Sequence, residues 1–198
     1  MGRDKARLLL DGRRWAERVA EVLQSAAAPC LEVGTGASGL PAVADEQPGA
    51  GPLAAVATGW AALRRIGHHG PALVVATDLP LLTGAALRLL AGWPGEGSVV
   101  PVVGGRAQPV CARWSAGALA RAAGLVAAGE RAMGALLELP DVTRLGPEHW
   151  SAAVDARAWA DFDSPDDLGP GPEPGQDLRA SSSTADSSIR DAVPFRHT

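Results

Sequence analysis

Between Gly12 and Ala26 the apolar residues Trp15, Val19, Val22 and Leu23 recur at helical spacing, with arginines and glutamates filling the other positions. That pattern predicts an amphipathic helix. A short apolar run, Cys30 to Val33, predicts a strand feeding a Gly- and Pro-rich loop from Gly34 to Pro52. Loops of that length are usually functional or disordered. Helical spacing returns at Leu53, Val56, Trp60 and Leu63 and ends near Gly67, with Pro52 suited to a first helical turn. Ala72-Leu73-Val74-Val75-Ala76 has no polar alternation, which predicts a strand buried on both faces. Thr83 is placed to cap a helix through Leu90, and strands are predicted from Ser98 to Val103 and from Ala107 to Trp114, joined by a Gly104-Gly105-Arg106 turn. Ser115 begins an alanine-rich helix to about Ala128, and Met133 to Leu139 predicts a shorter helical piece.

Strands alternating with helices at this spacing predict an α/β fold with an open, mostly parallel, doubly wound sheet over residues 1–168. From Gly169 onward Gly, Pro, Ser and charged residues replace any apolar periodicity, so residues 169–198 are expected to form a disordered tail. With 198 residues, 46% of them hydrophobic, the chain is long enough for one sizeable core. A net charge of -4 argues against a nucleic-acid partner, and no apolar stretch is long enough to predict a membrane span. Cys30 and Cys111 lack metal-ligand spacing and sit in apolar runs, so they read as reduced, buried small hydrophobes, with a cytoplasmic location as the default. His68-His69 reads as a solvated helix end.

Candidate chemistry is sparse and ordered along the chain. Asp78 directly follows the most strand-like segment, where ligands of open α/β sheets bind and where a carboxylate can hold magnesium. Its alternative is a turn aspartate stiffened by Pro80. Lys5 is the only lysine, a compact charge suited to a crowded phosphate, or simply a solvated terminal residue. Asp45 opens Asp45-Glu46-Gln47-Pro48-Gly49-Ala50-Gly51-Pro52-Leu53, a glycine-rich entry to a helix whose N-terminus favours anions. Gln108 precedes Pro109 at a strand start, where its amide can also serve the backbone. Asp163 lies in Asp161-Phe162-Asp163-Ser164-Pro165-Asp166-Asp167-Leu168, where Ser164, Pro165 and the acidic pair also fit a helix start.

Taken together these segments resemble, in order, the motifs of the molybdenum cofactor guanylyltransferases, MobA-like nucleotidyltransferases. Met1-Gly2-Arg3-Asp4-Lys5 resembles the end of the family's Leu-Ala-Gly-Gly-x-Ser-x-Arg-Met-Gly-x-Asp-Lys signature. The Asp45 loop resembles its Asp-x-x-Pro-Gly-x-Gly-Pro-Leu, Asp78-Leu79-Pro80 its Asp-x-Pro, and Gln108-Pro109-Val110 its Gln-Pro-Leu. The segment around Asp163 resembles the closing Asn-x-Asn-Thr-Pro-Glu-Asp-Leu, with aspartate in place of both asparagines and serine in place of threonine.

The resemblance implies a Rossmann-like sheet of the nucleotide-diphospho-sugar transferase type and transfer of GMP from GTP to the terminal phosphate of molybdopterin. It assigns Lys5 to phosphates as a catalytic and nucleotide-binding residue, Asp45 to the nucleoside, Asp78 to catalysis, the nucleotide and Mg2+, Asp163 to Mg2+, and Gln108 to the acceptor side. Molybdoenzyme-maturation proteins are the partners it suggests beyond GTP and molybdopterin. A related cytidylyltransferase, another NTP transferase and an inactive nucleotide- or cofactor-binding module are the alternatives. The family's first strand and Gly-rich turn should precede Met1, so the start codon is expected to lie upstream.

Overall fold

The computed structural model describes residues 8–164 and 167. Lys5 with the rest of its motif, and the tail from Gly169, lie outside the described residues.

The chain enters through a hairpin that periodicity does not reveal. Leu9–Leu10 (β1) pairs antiparallel with Arg13–Arg14 (β2), and Asp11 and Gly12 turn the corner at φ 52° and 77°. Two consecutive left-handed residues make the tight loop that Asp-Gly favours. The helix expected from Gly12 therefore begins later, as Trp15–Gln24 (α1). Glu17 reaches back to accept the Arg14 amide at 3.1 Å, satisfying a donor at the helix entrance.

Glu32–Val33 (β3) and Ala42–Val43 (β4) pair in parallel, so β4 is a strand inside what the sequence predicts as loop. Pro52–Arg65 (α2) follows with its proline in the first turn. Gly59 of α2 is required by packing, since a Cβ there would lie 3.0 Å from the Val33 side chain. Ala72–Val75 (β5) and Gly84–Ala91 (α3) come next, and the Thr83 hydroxyl accepts the Ala86 amide at 3.3 Å as predicted. Ser98–Val103 (β6) turns through Gly104-Gly105 into Arg106–Ala107 (β7), and Cys111–Trp114 (β8) forms separately. The strand expected from Ala107 to Trp114 is thus divided. Pro109 has no amide to continue a ladder, and Cys111 instead closes a turn onto the Gln108 carbonyl at 3.0 Å. Ala116–Ala127 (α4), capped by Ser115, and a 3-10 turn Met133–Glu138 agree with the sequence reading. Val142–Leu145 (β9), Pro147–Trp150 (α5) and a 3-10 turn Ala156–Trp159 complete the described chain.

In the main sheet β8 runs antiparallel to both β5 and β6, while β9 is parallel to β6. It follows that β5, β6 and β9 share one direction and β8 is the reversed strand among them. Neighbouring residues of a strand face opposite sides, and here the two sides are both packed. Val99 and Cys111 join a core with α1, α3 and the Trp150–Trp159 pair, whereas Val100 and Ala112 join one with α2 and α4. This is the doubly wound arrangement, with helices on both faces. Trp15, Trp114 and Trp159 are fully buried, on the order of 4–6 kcal/mol each as an upper bound from the area of an indole.

One buried charge belongs to this scaffold. The Arg113 guanidinium donates to the carbonyls of Ala91, Trp93, Gly95 and Gly97 at 2.7–3.2 Å, so it fastens the α3–β6 connection under the sheet. Desolvation lowers its pKa, and the nearby Glu96 carboxylate acts in the opposite direction.

The expectation that β5 is buried on both faces needs correction, because all four of its residues are only half-buried. β8 covers one edge, and among the described residues no strand pairs with the other. Along that second edge a cavity of about 750 Å3 runs between α1 and α2, with Glu32 and Val33 of β3 on its far side. No helix among the described residues is long and apolar enough to cross a membrane.

Candidate functional site

The end of β5 is fixed by neighbours on both sides. Ala76 donates to the Val110 carbonyl at 2.8 Å, Leu79 and Leu82 are buried beneath, and Leu82 closes a turn onto the Leu79 carbonyl. Asp78 therefore stands half-buried on an anchored backbone, lining the mouth of the cavity at the carboxyl end of a strand. The same two elements bring the Gln108-Pro109-Val110 segment within two residues of it.

The closing segment docks at this point. Phe162 donates its amide to the Asp78 carbonyl at 3.1 Å, which seats residues 161–164 against the strand end and brings exposed Asp163 into its neighbourhood. Upstream, the 3-10 turn is held by Trp159, whose ring meets Trp150 edge-on at 6.0 Å. Downstream, Ser164 donates both its amide and its hydroxyl to the Asp167 carboxylate, at 2.8 and 3.0 Å. These bonds use Asp167, a different aspartate from the one that the sequence reading assigns to the site.

Asp78 and Asp163 are hard oxygen donors on adjoining segments. Magnesium commonly takes one or two carboxylates and fills the rest of its shell with phosphate oxygens and water. Among the described residues no group of three or more His, Cys, Asp and Glu is gathered for a metal. Two carboxylates on adjoining segments match the one or two that magnesium takes beside phosphate oxygens and water.

Asp45 is half-buried at the end of β4, where one of its carboxylate oxygens accepts the Gln47 amide at 3.0 Å and shapes the following loop. The two glycines of that loop differ. Gly51, at φ +94°, is dictated by the protein itself, since a Cβ would lie 2.7 Å from the Arg131 carbonyl. That carbonyl also accepts the Leu53 amide at 3.1 Å, at the first turn of α2. Gly49, at φ +82°, faces open space. It is Gly49 that leaves backbone accessible to a ligand. Gln108 is half-buried and donates to the Arg106 carbonyl at 3.3 Å, which makes it a brace of the β7–β8 connection.

Glu32 escapes a sequence reading because it stands inside an apolar run. It is 8% exposed, yet its carboxylate collects the amides of Gly36, Ala37 and Ser38 at 2.8–3.0 Å and the Ser38 hydroxyl. Burial alone would raise its pKa, but the bonds from Ser38, Ala37 and Gly36 together hold it below the ordinary carboxylate value. The available signal is an acidic residue followed at once by the turn-forming Gly34-Thr35-Gly36-Ala37-Ser38-Gly39.

Comparison with other proteins bears on the family and the fold. A probable molybdenum cofactor guanylyltransferase of Chloroflexus aggregans is 36% identical over 180 residues, covering 84% of this chain and 85% of that protein. Another of that name from Mycobacterium bovis is 34% identical over 154 residues, covering 73% and 76%. Among solved structures, molybdopterin-guanine dinucleotide biosynthesis protein A of Archaeoglobus fulgidus has the same fold, with a TM-score of 0.64, 20% identity, and coverage of 84% of this chain and 88% of that one. Residues 1–145 match the MobA-like NTP transferase domain, and the chain belongs to that family.

Proposed function

We propose that this protein transfers the GMP moiety of GTP to the terminal phosphate of molybdopterin, releasing pyrophosphate. The observation that supports the reading is the docking of the closing segment on the end of β5, Phe162 to Asp78, which sets Asp163 on a segment adjoining Asp78, a residue of the cavity lining. A phosphate oxygen of the acceptor attacks the α-phosphorus of GTP, a P–O bond forms, and the bond to the β-phosphate oxygen breaks to free pyrophosphate. Such a reaction asks for positioning and charge neutralisation rather than covalent help.

Asp78 and Asp163 would hold magnesium, which supplies countercharge to the phosphates. Asp45 orients the nucleoside, Lys5 contacts phosphates, and Gln108 borders the acceptor side. The half-buried second edge of β5 faces β3 across the cavity, which leaves room for a ligand beside Asp78. The free thiols of Cys30 and Cys111 suit a reducing, cytoplasmic setting. The aspartates at 161 and 163 favour one second reading, a cytidylyltransferase acting on the same acceptor.

The test is magnesium-dependent pyrophosphate release from GTP, CTP and ATP, each with molybdopterin. GTP-selective release is expected. CTP-selective release would establish the second reading, and nucleotide binding without release would mark a binding module.

A further inference from the structure

We propose that Glu32 is a positioning residue for the nucleoside half of the substrate, acting through the turn of residues 34–40 that it holds against the cavity. This deepens the transferase reading and rests on it.

The argument begins with alternation along β3. Leu31 and Val33 both approach Gly59 of α2, so they share one face of the strand, and Glu32 occupies the other. From there its carboxylate meets the chain as it curls back: one oxygen takes Gly36 and Ala37, the other takes both donors of Ser38. The Ser38 hydroxyl in turn accepts the Leu40 amide at 3.3 Å, extending the grip to the end of the turn. All these donors are neutral, so the charge is dispersed over amides rather than paired with a cation.

Such a device is needed because the turn has little to order it. Gly34, Gly36 and Gly39 adopt φ of 143°, 75° and 78°, and glycines surrender the most backbone freedom on ordering. Ala37 is the one residue of the turn that is buried. A carboxylate saturated by four donors fixes the loop before any ligand arrives, and preorganisation of this kind removes an ordering cost from binding.

The turn also faces the reaction. Glu32, Val33, Ser38 and Leu40 line the same cavity that Asp78 lines from the end of β5. β3 and β4 are parallel, so the turn after β3 and Asp45 after β4 leave from the same end of their pair. The turn thus forms one wall, with Asp45 leaving from the same end of the strand pair, and Asp78 forms the phosphate end. A ligand spanning the two has its nucleoside against the wall that Glu32 maintains.

Glu32→Gln keeps the shape but offers an NH2 where Ser38 presents donors. With wild-type turnover as the baseline, the variant is expected to raise KM for GTP at least about fivefold with kcat within about twofold. Amide exchange at 36–38 should accelerate. A variant with unchanged KM, or one whose kcat alone falls, overturns the proposal. Should Glu32→Gln not fold, Ser38→Ala removes one donor and the Leu40 acceptor, and the same KM-specific loss, smaller, is expected from it. Equilibrium binding of GTP to both proteins separates this claim from the reaction. If wild type binds GTP but transfers nothing, the transferase reading fails, while weaker GTP binding by Glu32→Gln still upholds Glu32 as positioning. If wild type binds no GTP, the positioning role is overturned as well.

Discussion

The two sides of the main sheet are built to different standards. In β6, β8 and β9 the residues Val99, Val100, Cys111, Ala112, Trp114 and Leu145 are all at most 1% exposed, and both faces are packed. Across β5, the next elements, β3 and β4, are two-residue strands, and β5 itself is half-buried beside a cavity of about 750 Å3. Packing that dense resists any change of volume. The difference indicates that stability resides mainly in the β6–β8–β9 side, while the candidate site sits at the seam, where Asp78 leaves a well-anchored strand and faces the looser side. Rigid support on one flank with adaptable walls on the other suits a site that must admit two large anions.

The comparison breaks most sharply at Trp114. Its indole is fully buried and donates to the Pro109 carbonyl at 3.0 Å, so Trp114→Ala is expected to cost about 3–5 kcal/mol in denaturant unfolding. An equal cost from truncating Val74 on β5 would erase the distinction between the two sides. Asp78→Asn tests the seam itself: turnover should fall on the order of 100-fold or more, as when one preorganised electrostatic partner is lost, in protein that still melts cooperatively. Pyrophosphate release and thermal melting on the same sample decide it.

Smaller effects sharpen the contrast within the Asp45 loop. Gly51→Ala should destabilise by about 1–3 kcal/mol, because backbone strain adds to the clash with Arg131. Gly49→Ala, strained in φ but sterically open, should cost about 1 kcal/mol and weaken nucleotide binding instead. At the low end come the thiols. Burial raises both pKa values, that of Cys111 to about 12. In the folded protein at pH 8, half-buried Cys30 should react slowly with a thiol reagent and Cys111 only on unfolding. Prompt labelling of Cys111 would mean that the packed side opens readily.

Local signals are the legible ones. Thr83 and Ser115 announce their helices because a cap needs only a hydroxyl three residues before an amide, and both bonds form as expected. The position of Asp78 is legible because a continuous apolar run ending in a carboxylate marks the carboxyl end of a strand, here a half-buried one. The Asp11-Gly12 hairpin is legible in principle but lies under a helical pattern that fits the same residues. β4 and β9 are not, since strands of two and four residues carry too few positions for a period to show. Gly51 answers to Arg131, a residue far along the chain, and Glu32 to a turn that only folding brings over it. Neither dependence has a local signature.

The Gly51–Arg131 approach bears on how this molecule can be interrogated. Both of its interactions, the close contact and the Leu53 amide bond, use the main-chain carbonyl of Arg131, while the Arg131 side chain is exposed. Replacement of the Arg131 side chain would therefore leave this junction intact and report it as dispensable. Its weight would emerge only through chemistry on the polypeptide itself, such as an ester in place of the Leu53 amide. Positions of this kind tolerate nearly any letter in the gene and almost no change in the path of the chain.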